Sequence, residues 1–150
     1  MLFHRYELES DKNLKVFEFV SIGKKGDIPK IVQYSETNLH NFYNLGFGDK
    51  DLETGAVDDK VISNNGDSQK VLATVVATVY AFTNKYPDAW IYATGSTKSR
   101  TRLYRIGISN NLDEILADFE LFGLKETEWQ EFEKGTEYQA FLVKRKELKK

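Results

Sequence analysis

The chain has 150 residues, 23 acidic against 21 basic side chains for a formal net charge of −2, no cysteine, and ten Phe, eight Tyr and two Trp among its 41% hydrophobic residues. That length suits one domain, so residues 1–150 are expected to fold as a single domain around a substantial core. The charge balance does not mark a nucleic-acid binder by default; the missing thiols exclude disulfides, a thiolate nucleophile and cysteine-based metal sites.

The opening M-L-F-H-R-Y-E-L has neither a basic region before an apolar run nor a cleavage site, so no signal peptide is expected and the reading is cytoplasmic. Arg5 to Glu9 reads as a first strand. Asn13 to Ile22 is a stronger one, rich in β-branched and aromatic residues. Val16, Val20 and Ile22 share one of its faces and Phe17 and Phe19 the other. Both faces are therefore expected to be covered, by helices on one side and by loops over part of the other. Gly23 to Asp27 is a turn, and Ile28 to Tyr34 is the partner strand, with Pro29 near its start where a missing N–H does little harm. Asn41 to Phe47 is a further strand, whose Gly46 and Gly48 predict a bulge or a close approach to the backbone. Asp49 to Asn65 is a long polar connection. Its D-K-D-L-E-T-G opening departs from an EF-hand, because Gly55 comes one place late and Lys60 stands where a bidentate glutamate belongs. A solvated acidic loop and a divalent-cation role stand side by side there. Asp58 and Asp59 are the candidate ligands for the second; otherwise no metal site is predicted.

A helix follows, with Asn65 and Asp67 as N-cap residues and Pro87 as its stop. It is apolar nearly all round, which predicts a buried central helix. Val75, Val79 and Phe82 are expected to face Phe17 or Phe19 and Tyr43 or Leu45, and Lys70, Thr74, Thr78 and Lys85 to form the polar line. The run from Val71 to Phe82 falls short of the ~20 apolar residues of a membrane span. Ala89 to Ala93 is a short strand, Gly95 a tight turn, and Ser96 or Thr97 the cap of a second helix. Lys98, Arg102 and Arg105 recur at helical spacing on one side of that helix, and Arg100 and Tyr104 share another. Free amides at a helix start attract anions, so Gly95, Ser96, Thr97, Arg100, Arg102 and Arg105, with Asn65 and Asp67 of the preceding turn, form a candidate site for a phosphate or carboxylate. Neither a Walker A loop nor G-x-G-x-x-G is present. The other reading is a capped helix whose arginines pair with nearby carboxylates.

The run Ser109-Asn110-Asn111 caps a third helix, Leu112 to Asp118, Phe119 to Leu124 is a strand, Glu126 to Lys134 is ambiguous, and Tyr138 to Arg145 is a final strand before a basic tail, Lys144 to Lys150. Strands first and helices later argue α+β: a curved, mainly antiparallel sheet of five to seven strands, with a buried central helix and two shorter helices on one face.

The blocks N-L-G-F-G-D (Asn44–Asp49), S-N-N-G-D (Ser63–Asp67), K-V-L-A-T-V (Lys70–Val75) and G-S-T-K-S-R-T-R-L-Y (Gly95–Tyr104) resemble those of an uncharacterised family of short bacterial proteins. The resemblance implies a small cytoplasmic protein and brings no activity, substrate, cofactor or catalytic residue. His4 and His40 lie far in sequence from the Ser63–Gly107 stretch; a zinc set would need further ligands that the chain does not show, and nothing in the sequence leads His40 to be expected beside Ser63 or Ser96 as a triad base. Three functions are open. The first is a module that binds a phosphate-containing small molecule or an RNA backbone. The second is a protein-interaction partner of the toxin–antitoxin kind. The third is a metal-dependent phosphoesterase or nuclease, with Asp49, Asp58, Asp59 and Asp67 holding the ion. No membrane partner is expected.

Overall fold

The computed structural model describes residues 4–58 and 63–147. Eight strands and three helices follow one another as β1 (Glu9–Ser10), β2 (Val16–Gly23), β3 (Gly26–Glu36), β4 (Phe42–Asp49), α1 (Ser68–Lys85), β5 (Trp90–Ala93), α2 (Lys98–Asn110), α3 (Leu112–Asp118), β6 (Phe119–Lys125), β7 (Glu128–Glu131) and β8 (Ala140–Arg145). The strands form one open sheet in the order β1-β2-β3-β4-β5-β8-β6-β7. Every neighbouring pair is antiparallel except β4 and β5, which run parallel because α1 carries the chain across between them. The α+β expectation holds, with one strand beyond the expected range. The extra strand is β7, whose E-W-Q-E text has a single apolar residue and gives no alternation to read. Of the first predicted strand, Arg5 to Glu9, only Glu9 pairs with β2, and the two-residue β1 extends past it to Ser10.

Strand alternation sorts the sheet into an inner and an outer face. Phe17, Phe19, Val32, Tyr34, Tyr43, Leu45, Phe47 and Ile91 point inward and are buried. Val16, Val20 and Ile22 point the other way; Val16 is half-buried, whereas Val20 and Ile22 are 43% and 63% exposed, so that face of β2 is left open toward the hairpin. The β3–β4 register runs unbroken through Gly46 and Gly48, which removes the bulge. The close approach is real: Val57 packs over Gly46, its Cγ2 3.8 Å from where a Cβ would sit.

All three helices lie on the inner face. A cavity of about 70 Å³ between them and the sheet is lined by apolar side chains from each, Val79, Tyr104 and Ile115 among them, against Leu45, Ile91 and Phe141. Phe82 is fully buried, stacked on Tyr34 at 4.2 Å and edge-on to Tyr43 at 5.0 Å. Val75 is buried too, but Val79 is only partly so. The threonine line proves to be part of the buried surface rather than a solvated one. Thr74 and Thr78 are both 0% exposed; Thr74 Oγ1 accepts from the Tyr6 N–H at 2.8 Å, and Thr78 Oγ1 lies 2.7 Å from the Tyr34 hydroxyl. Each hydroxyl also donates to a carbonyl of its own helix, which lets a polar residue enter the core. The basic tail is also tied down where it is described. Arg145 donates to Thr83 and Asn84 of α1 at 2.8 and 2.7 Å, and Lys146 Nζ donates to the Leu116 carbonyl at 2.6 Å. Among the described residues no helix is long and apolar enough to cross a membrane.

Candidate functional site

The turn from β5 into α2 is built by its own short side chains. Thr97 caps α2, its hydroxyl accepting from the Arg100 N–H at 3.2 Å. Thr101 Oγ1 accepts from the Gly95 N–H at 3.0 Å and donates to the Thr97 carbonyl at 3.1 Å, which folds the turn back on the helix. A Cβ at Gly95 would fall 2.7 Å from the Arg100 carbonyl carbon and closer still to the Thr101 nitrogen. Only glycine lets the turn lie this close to the helix.

Two clefts flank this turn and divide the three arginines. On one side, a cleft of about 730 Å³ runs over Thr94, Gly95, Ser96 and Thr97 to a wall made by Lys125, Glu126, Glu137 and Tyr138. Lys98, Arg102 and Arg105 project into it, so four cations meet two carboxylates there, an excess of two positive charges in a chain whose net charge is −2. Arg102 is exposed, whereas Arg105 is half-buried with its guanidinium 3.5 Å from the Thr136 carbonyl. On the other side, a cleft of about 440 Å³ is lined by Gln33, Ser35, Asn44, Val57, Ser96 and Arg100. Arg100 donates to the Asp58 carbonyl at 3.3 Å, tying α2 to the 50–58 loop. Tyr104 lies beneath, its phenol pushed up to about 12 by burial against the counter-effects of a Phe47 backbone hydrogen bond and the Arg100 charge.

Asn65 and Asp67 line neither cleft. Their expected capping role is also corrected: Asp67 stands at the N-cap of α1 but makes no side-chain cap bond. Its carboxylate instead accepts from the hydroxyls of Tyr6 and of Ser21, the latter at 2.6 Å. Burial, and next the Asp67 carboxylate, raise the Tyr6 phenol. Asn65 reaches into the β2–β3 hairpin, accepting from the Lys25 N–H at 2.6 Å and donating to the Gly26 carbonyl at 2.8 Å. A Cβ at Gly23 would strike the Asn65 carbonyl. S-N-N-G-D therefore braces the hairpin against the start of α1. Asn111 likewise makes no side-chain cap bond, and donates from Nδ2 to the Gly107 carbonyl at 2.9 Å.

Sequence reading missed the pair beside this brace. Lys30, 1% exposed, donates to the Asp49 carboxylate and to the Ser63 carbonyl at 3.0 Å, while Asp49 accepts from the Ser63 N–H at 3.1 Å. Asp49 thereby holds the end of β4 to the start of S-N-N-G-D. The only hint in the sequence is inward parity, since Lys30 shares its face of β3 with Val32 and Tyr34. Of the proposed metal carboxylates, Asp49 and Asp67 are engaged with these internal partners. Asp58 donates its N–H to the Asp49 carbonyl, and Asp59 lies outside the described residues. Among the described residues no three His, Cys, Asp or Glu side chains lie together as a metal set, and His4 and His40 are both exposed.

No curated protein and no solved structure matches the chain. A family model described as a family of unknown function (DUF6934) matches residues 3–146, nearly the whole chain, and the protein belongs to that family.

Proposed function

We propose that the protein is a cytoplasmic binding module, a single domain, for a phosphate-containing ligand seated in the cleft at the start of α2. The observation that carries this reading is the convergence of Lys98, Arg102, Arg105 and Lys125 on a turn made of Gly95, Ser96 and Thr97. Short hydroxyl side chains and first-turn amides offer hydrogen-bond donors to phosphate oxygens, and the cations supply charge and forked donors. Arg100 belongs to the neighbouring cleft and serves a ligand that extends past Ser96. The absence of cysteine accords with a reducing compartment. The test is a thermal-shift titration with inorganic phosphate, pyrophosphate and nucleoside phosphates. A ligand at a hundred times its dissociation constant stabilises the fold by about 2.7 kcal/mol. Arg102→Ala and Arg105→Ala should remove the shift, and Arg102→Ala should leave the unliganded Tm unchanged because that side chain is exposed. No shift with any phosphate would refute the reading.

A further inference from the structure

The outer face of the sheet carries five aromatic rings that no helix among the described residues covers. Phe42 and Trp90 are register partners on β4 and β5, Tyr92 follows on β5, Phe122 lies on β6 and Trp129 on β7. The rings form two groups across the strands, Phe42–Tyr92 at 6.2 Å with Tyr92–Trp129 at 6.1 Å, and Trp90–Phe122 at 6.2 Å between centroids. Trp129 is 42% exposed and the other four are half-buried, so ring surface faces solvent. Lys144 lies 5.7 Å from the Trp90 centroid.

The composition at the border of this patch indicates what covers it. Asn44 pairs with Tyr92, and Thr94, just past the end of β5, lines both clefts of the α2 turn. Aromatic rings thus run into amide and hydroxyl side chains, and those into the arginines and lysines around Gly95–Thr97. Bases stack on aromatic faces irrespective of sequence, amides bond base edges, and cations meet the backbone phosphates. Glu120 and Glu131 also lie on this face, opposite Lys144 and Phe122, so the positive charge is concentrated at the cleft end and the rings carry the middle. Five rings span more than one base.

We infer that this face is a stacking platform for the bases of a single-stranded nucleic acid whose phosphates reach the Gly95–Thr97 cleft. The inference rests on the phosphate reading of that cleft. Both tryptophans of the chain stand on the platform, so intrinsic fluorescence reports it directly. Single-stranded oligouridylate should quench the emission saturably at low salt and less tightly as salt rises. Pyrophosphate should give a thermal shift without quenching, and a mononucleotide should bind more weakly than the oligomer. Tyr92→Leu should weaken oligomer binding by about tenfold, the loss of one stacked base. Tyr92→Phe, which keeps the ring, should bind like the unaltered protein.

Failure of oligouridylate to quench, or equal binding by Tyr92→Leu, overturns the platform. If pyrophosphate still shifts Tm and Arg102→Ala removes that shift, the cleft reading survives this failure. A concentration-dependent dimer in sedimentation, abolished by Trp129→Leu, would also overturn the proposal by assigning the face to a second copy.

Discussion

Replacing Lys30 by Met tests how the loop base is held. Lys30 is 1% exposed and its Asp49 partner's side chain 13%, so neither charge is well solvated once the other is gone. Met keeps much of the lysine volume and removes the ammonium, leaving the Asp49 side chain with the Ser63 N–H as its remaining donor among the described residues. Breaking one side of a buried ion pair costs about 3–5 kcal/mol, because the surviving charge is stranded. For a protein of this size that corresponds to a Tm lower by roughly 6–20 °C. Asp49→Leu should cost a similar amount, stranding the ammonium against the Ser63 carbonyl. The double variant Lys30→Met/Asp49→Leu removes both charges and leaves only the Ser63 backbone groups short of partners, a cost of about 1–2 kcal/mol. Urea unfolding of the four proteins closes the cycle, with m unchanged if the unfolded states are alike. Single variants that each lose less than about 1 kcal/mol, or losses that simply add, would show that the pair is solvated and the clasp does not exist.

Phe82→Ala should destabilise by about 3–5 kcal/mol and Val79→Ala by distinctly less, since Phe82 is fully buried between two rings whereas Val79 is only partly buried; equilibrium unfolding ranks them. Gly95→Ala should cost about 1–3 kcal/mol by overpacking against Arg100 and Thr101, and should abolish the phosphate-dependent thermal shift. Burial raises the Tyr104 phenol from 10.0 to about 12, so the unfolded chain sheds this proton first as pH rises. Its stabilising contribution is complete below pH 10, the unfolded value, and is lost as pH climbs to about 12; Tyr104→Phe should lessen the alkaline fall in Tm over that window.

The elements legible in the sequence are those whose own residues decide them. Pro87 stops α1, Thr97 caps α2, and the alternation of Phe17 and Phe19 with Val16 and Val20 marks β2. Misreadings fell where a distant partner decides. Thr74 and Thr78 look polar until Tyr6 and Tyr34 arrive to satisfy them, and Asp67 looks like a cap until Tyr6 and Ser21 claim its carboxylate. The candidate site was half legible. Gly95, Ser96, Thr97, Arg102 and Arg105 do share one cleft, because they are neighbours along a turn and a helix face. Helical spacing also sets Arg100 and Tyr104 on a different side of α2 from Lys98, Arg102 and Arg105, as the two clefts bear out; that Lys125 from β6 completes the first cleft and that Trp90 and Trp129 share an outer face depend on strand pairings between residues far apart in the chain.

The position of β8 between β5 and β6 has a consequence for how the molecule is made. β8 follows every other strand in the chain, yet it alone joins β5 to β6. Until Ala140 to Arg145 is synthesised, the strands before α2 and the β6–β7 hairpin are two separate sheets, each with an unpaired edge that faces the gap. Such edges are templates for pairing with other chains, and closing them requires contacts of large sequence separation, which form slowly. Arg145 follows β8 into place and bonds to Thr83 and Asn84 near the end of α1. Of these eight strands, the one synthesised last is thus the one that turns two aggregation-prone halves into a single sheet.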